Sequence, residues 1–472
     1  MRRLRPPDRD EILTGPALLT MVRIGGPAVL SSLLFTLYNL ADAFWIGHLP
    51  GEQAGAVVAG IQVSWPLVWF LISLVAGFGG AAVSALVAQY IGAGRPREAN
   101  EALNQLLTVA LISGVMLGIS GYLVSPWLLS VLVVQPAIAE QASTYLRVVF
   151  LGLPTMLIPG LFYFAFSSTG DTVTPLLVNG AGILLNMLLD PVLVLGWGPI
   201  PQMGILGAAY ATVASQGVAS ILFLLLFRRG KGVLRLDLRA MRLRWSWMLA
   251  AMRIGLPAAI GQSSVSLGFV IVMGVIGRLS NAEVALAGYG IADRVFGILF
   301  IVTEGLGIGL TTMIGQALGA GRMSRAKELL RKGLGLLFVI VIAEAAILWL
   351  GRSAIIAVFI PGREDVIREG ARFIEIFAVG MPFLSAFLTA EAVYRGAGHN
   401  VPTMVLSILR LWVLRIPLSY LLAFPLGLQS TGVWLGMSLS NVVSGLLALG
   451  LLASRRWQRS VVAPAPEDPS GA

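Results

Sequence analysis

Twelve long apolar runs, each near the ~20 residues needed to cross a bilayer as a helix, govern what this chain can fold into. They lie near 21–47, 54–90, 103–125, 141–168, 173–197, 204–227, 247–277, 282–318, 329–350, 367–394, 401–424 and 431–453. Hydrophobic residues make up 57% of the 472 and charged residues 12%. That is half the ~25% charge share of a soluble domain, too little to solvate a surface in water. The first run is too long for a signal-peptide core and lacks a small-residue cleavage site, so it reads as retained. An all-α polytopic membrane protein with 12 transmembrane helices is the predicted fold class.

Arginine and lysine gather in every second connection. Arg95, Arg97, Arg228, Arg229, Arg322 and Arg325 lie on one side, whereas the other carries little beyond Arg278, Arg352, Arg363 and Arg368. Basic connections stay inside, which places both termini in the cytoplasm and the chain in the plasma (inner) membrane. The net charge of +10 is then a topology signal, and no nucleic-acid partner is needed to explain it. Zero cysteines exclude disulfides and iron–sulfur clusters, and two histidines, His48 and His399, cannot build a multi-histidine metal centre. No nucleotide loop, nucleophile elbow or dinucleotide fingerprint stands in a usable context, so the reading is no enzyme and no cofactor.

The halves repeat. RIGGPAVL (23–30) recurs as RIGLPAAI (253–260), IGHL (46–49) as IGRL (276–279), AQYIGAGR (88–95) as GQALGAGR (315–322), and STGDTVTP (168–175) resembles RGAGHNVP (395–402). All four pairs share an offset of roughly 230 residues, the signature of an internal duplication. An even helix number sends both halves into the membrane in one direction, so their two-fold axis runs along the membrane normal with a cavity between them. The expected organisation is a cytoplasmic tail 1–20, a six-helix lobe 21–228, a basic cytoplasmic linker 229–246, a second six-helix lobe 247–453 and a cytoplasmic tail 454–472. Two pseudo-symmetric bundles around one cavity are the plan of a transporter.

Ionisable residues inside the spans are costly and point to function. Asp42 sits one turn after Tyr38 in the first helix. Asn186 and Asp190 share a face of the fifth, and Thr212 and Gln216 a face of the sixth. Meeting in one lobe, they form an oxygen-rich cluster that could bind a proton or Na⁺. A purely structural role for them is the bland alternative. The second half does not copy the acids: Val272 and Ile416 stand opposite Asp42 and Asp190, and Arg415 stands beside the second of these positions. Glu304 and Glu391 are secondary candidates there, and pairing of the intramembrane arginines with glutamates is the bland expectation. Pro27 interrupts the first helix and marks a candidate hinge. Trp45, Trp127, Trp197, Trp245, Trp247 and Trp457 near helix ends read as interfacial anchors.

The RIGxP openings, NLADAFWIG around Asp42, the two GAGR closures, NxxxDP (186–191) and RGAGHNVPT (395–403) together resemble the multidrug and toxic compound extrusion (MATE) family. The resemblance implies alternating access and export of bulky cationic or amphipathic drugs in exchange for H⁺ or Na⁺, by a monomer in contact with membrane lipids. It further implies a DinF-like branch with coupling acids in the N-terminal lobe, matched by Asp42, Asn186, Asp190 and Thr212, which are also the candidate Na⁺ ligands. The NorM-like branch has further acids in the C-terminal lobe, and 257–268 and 382–390 hold none. A flippase for lipid-linked molecules shares the two-lobe plan and is the competing function, but it calls for basic residues where this lobe carries acids.

Overall fold

The computed structural model describes residues 5–47, 53–132, 136–197, 199–230, 234–237 and 239–462. His48, parts of both tails and part of the basic linker lie outside these residues. Every regular element among them is helical. Twelve spans have the length and apolarity to cross a membrane.

The first half runs α1 (Arg9–Thr14), α2 (Ala17–Gly47), α3 (Gln53–Gly92), α4 (Pro96–Leu132), α5 (Pro136–Leu151), α6 (Leu153–Thr169), α7 (Val173–Val194) and α8 (Ile205–Arg228). The second runs α9 (Trp245–Ile276), α10 (Ala282–Gly319), α11 (Met323–Phe359), α12 (Glu364–Ala397), α13 (Val401–Ile408), a π-helical turn Leu409–Arg415, α14 (Ile416–Ala423) and α15 (Gln429–Ala453). Leu184, Leu188, Val270 and Leu350 are exposed, as lipid-facing positions are.

The helices depart from the apolar runs in identifiable places. The fourth run is two helices, because Gly152 and Pro154 interrupt it and a side chain at Gly152 would strike Val213. The eleventh relaxes into the π turn. Residues 1–20, read as a tail, contain α1. Its start is capped by Asp8, whose Oδ1 accepts the Glu11 N–H at 2.9 Å. Trp457 corrects the reading of an interfacial anchor: it is buried, and its Nε1 donates to the Leu452 carbonyl at 2.9 Å.

The repeated motifs meet one another inside each lobe. Thr172 Oγ1 donates to the Ile24 carbonyl at 2.7 Å, and in the other half Asn400 Nδ2 donates to Ile254 at 2.8 Å. Both bonds join the RIG stretch to the loop motif of its own half.

Among the described residues, contacts between the lobes are one-sided. Gly25 lies against Gly305 and Leu306, Gly77 against Ala259, Gly255 against Phe78, and Tyr90 against Trp247. All fall in the helix halves nearest the GAGR turns. Among the described residues, no cross-lobe hydrogen bond joins the far halves. At the turns the seal is tightest: a Cβ on Gly92 would sit 2.1 Å from the Gln316 carbonyl, and one on Gly319 would sit 1.9 Å from that of Gln89. Only glycine lets these backbones touch.

The chain ends cross over on this sealed face. Ile12 and Leu13 of α1 join the core of the second half beside Leu310 and Ile314. Arg325 donates to the Ile12 and Gly15 carbonyls at 3.1 and 2.6 Å, while Arg9 holds the Gly92 carbonyl at 2.8 Å. Conversely, Val462 joins the core of the first half beside Ala82 and Leu86.

Candidate ion-coupling and substrate site

The N-terminal lobe brings Tyr38, Asp42, Asn186, Asp190 and Thr212 together from α2, α7 and α8. Asn186 and Asp190, one turn apart on α7, are both fully buried, and Thr212 faces them from α8. The Asn186 amide satisfies its neighbours in one orientation. Its nitrogen donates to Asp42 Oδ1 and Asp190 Oδ2, each at 3.0 Å, and its oxygen accepts the Thr212 N–H at 3.2 Å. Tyr38 Oη lies 3.2 Å from Thr212 Oγ1, closing the cluster from the α2 side. One amide therefore bridges two carboxyl groups. Among the described residues Asp190 Oδ1 has no partner, although Asp190 is only 1% exposed. A buried acceptor with no donor is costly unless something positive fills the gap.

The other candidates stand apart. Gln216 is half-buried one turn beyond Thr212 and makes no hydrogen bond among the described residues. Glu304 is exposed on α10, and half-buried Glu391 pairs with Arg395 at 3.6 Å. Helix α2 continues unbroken through Pro27.

The expected pairing of intramembrane arginines with glutamates is corrected. Arg415 Nε donates to Ser440 Oγ at 3.0 Å and Nη2 to Asn441 Oδ1 at 2.6 Å, while Glu344 takes Thr303. A serine and an asparagine meet the guanidinium without a second buried charge. Sequence reasoning also missed Gln89 and Gln316. Each is the second residue of a repeated GAGR motif, and that shared position was the available signal.

The MatE family model matches residues 27–192 and 257–421, one stretch in each lobe. The chain belongs to the MATE family. It is 28% identical over 446 residues to the probable multidrug resistance protein NorM of Thermotoga maritima, covering 94% of this chain and 93% of that protein. It is 27% identical to the FAD transporter of Shewanella oneidensis, covering 93% and 95%. An outward-facing MATE structure superposes with a TM-score of 0.87 at 23% identity, over 96% of this chain and 98% of that one. The MATE fold accounts for the two six-helix lobes. The relatives are named for multidrug resistance and for FAD, so the fold alone does not fix the cargo.

Proposed function

We propose that this MATE transporter is a secondary multidrug antiporter, exporting cationic or amphipathic compounds in exchange for H⁺ or Na⁺ bound between Asp42 and Asp190. The orphaned Oδ1 of Asp190, buried beside a second carboxyl group, carries the reading. A proton or Na⁺ supplies the positive partner that this oxygen lacks, and Asn186, Thr212 and Tyr38 hold the two acids in place. With both acids ionised, the lobe attracts a cationic drug. With the ion bound, that attraction is lost and the drug leaves.

Reciprocity requires the drug to weaken ion binding by the same factor. Working against a tenfold drug gradient takes ~1.4 kcal/mol, within what one displaced charge supplies in a low-dielectric site. The basic face is taken as cytoplasmic, with both termini there and 229–246 linking lobes 21–228 and 247–453 in the inner membrane. The one-sided seal then represents the outward-open state, and Pro27 beside it is the candidate bend. One chain encloses the whole path, so a monomer without nucleotide or cofactor suffices.

Proteoliposomes loaded with ethidium and given separate pH and sodium gradients test the reading. Efflux driven by one of them, and lost in Asp42→Asn and Asp190→Asn, is the expected result. Efflux driven by neither, or wild-type rates in both variants, overturns it.

A further inference from the structure

The C-terminal lobe holds two guanidinium groups that no carboxylate neutralises. Arg410 and Arg415 bracket the π turn and are 7% and 2% exposed. Neither has a carboxylate oxygen within 4.0 Å among the described residues. The nearby acids are engaged elsewhere: Glu391 with Arg395, and Asp293, whose Oδ1 accepts the Tyr289 hydroxyl at 3.3 Å. Among the described residues Arg410 makes no hydrogen bond, and its buried Nε has no partner there. Its guanidinium lies over the Phe387 ring, 4.3 Å from the centroid, and that of Arg415 lies 5.8 Å from Phe269. Asn441, bonded to Arg415 through its oxygen, has an orphaned Nδ2. An unpaired buried cation is strongly unfavourable, and a ring face offsets only part of that.

The backbone explains how two arginines five residues apart come together. In an α-helix such positions diverge by about 140°. The i→i+5 turn Leu409–Arg415 reduces this divergence, and such turns are frequent at functional sites. The location also matches that of the acid cluster. Gly207 abuts the Leu193 backbone, and Gly436 abuts Ser419 in the same way, which aligns α8 with α15 and puts Asn441 opposite Thr212. One lobe therefore carries an acidic pole, and the other a basic pole at the corresponding depth.

We propose that Arg410, Arg415 and Asn441 form a site for an oxyanion, carboxylate or phosphate, carried by an amphipathic substrate, so that cargo bearing both signs of charge bridges the two lobes. Arg410 and the free Asn441 amide donate to the anion, while Phe387 and Phe269 flank it. The assignment deepens the export reading and rests on it for the direction of transport, though not for binding.

Rhodamine B and its methyl ester share one cationic ring system and differ only in whether the carboxylate is free. Their affinities for the full chain in phosphatidylcholine nanodiscs, read by fluorescence polarisation, give an acid-to-ester ratio. The wild type should favour the acid, Arg410→Gln should lower the ratio about tenfold, and Arg410→Lys should recover part of it. Monodisperse size-exclusion profiles confirm folded variants. An unchanged ratio in both Arg410→Gln and Arg415→Gln overturns the site. An anionic phospholipid that native mass spectrometry finds on the wild type but not on Arg410→Gln, with the ratio unchanged, assigns the two arginines to a lipid phosphate and also overturns it. Failure of the antiport reading looks different: ester efflux then ignores Asp42→Asn, whatever the binding ratio.

Discussion

Gln89 and Gln316 make the same hydrogen bond into opposite lobes: Gln89 Nε2 donates to the Gly396 carbonyl at 2.9 Å, and Gln316 Nε2 to that of Ser168, also at 2.9 Å. The internal two-fold exchanges the donors, and the acceptors fall one residue apart in the repeat, so the pair crosses the lobe interface like a double latch. The symmetry stops at the amide oxygens. Gln89 Oε1 accepts from Ser460 Oγ at 2.8 Å and from the Val461 N–H at 2.9 Å, whereas Gln316 Oε1 has no partner among the described residues.

Replacing either glutamine by alanine should therefore populate a state open on the GAGR face, and Gln89→Ala should do so more. Each buried group left unsatisfied costs about 1–3 kcal/mol, and Gln89→Ala strands more of them. The chain has no cysteine, so spin labels can be placed in pairs on the two faces without background. Distances across the GAGR face should lengthen in the order wild type, Gln316→Ala, Gln89→Ala. The reverse order would refute the asymmetry.

Gly92→Ala and Gly319→Ala should act in the same direction by a steric route, since each new methyl meets the carbonyl of a residue in the other lobe. Gly26→Ala is the control. Nothing lies within 4 Å of its would-be Cβ, and alanine is the better helix former by about 1 kcal/mol. Labelling of a cysteine placed near the seal should quicken in the first two variants and not in the third.

Tyr38→Phe should weaken coupling without abolishing it. The lost contact to Thr212 is a single neutral hydrogen bond, about 1 kcal/mol or roughly fivefold in ion affinity. Asn186→Ala removes the bridge between two carboxyl groups and should cost more. Ion-concentration dependence of efflux separates the two, and equal effects would show that Asn186 is not a bridge.

The strapped ends should stabilise the sealed state. Arg325→Ala, which frees the Ile12 and Gly15 carbonyls, and Trp457→Ala, which opens a cavity worth about 3–5 kcal/mol, should both lower the melting temperature. Both should also raise protease cleavage within residues 5–15 or 455–462. Unchanged cleavage would mean that the straps are held elsewhere.

The spans and the duplication were legible because lipid imposes a length and repetition imposes an offset. Both survive in a single sequence. Asp42, Asn186 and Asp190 stood out because polar groups are scarce in apolar helices. What stayed hidden depends on partners far away in the chain. Gln89 reads as a helix-end residue until Gly396 is brought to it, and Trp457 reads as a surface anchor until the core closes over it. The π turn carries no punctuation: LRLWVLR differs little from an ordinary helical run, and its register follows from how Arg415 reaches Ser440 and Asn441.

The crossed ends impose an order on biosynthesis. Ile12 must wait for Arg325, 313 residues further along, and Gln89 for Val462, 373 residues away. At about 5–20 residues per second, the first of these waits lasts roughly 15–60 s. Throughout that time the nascent first lobe stands in the membrane with its inner surface bare and its amphipathic N-terminal helix unattached. Synthesis of the whole chain thus sets the earliest moment at which the sealed face can close. A chain released before residue 462 would leave half of that face without its clasp.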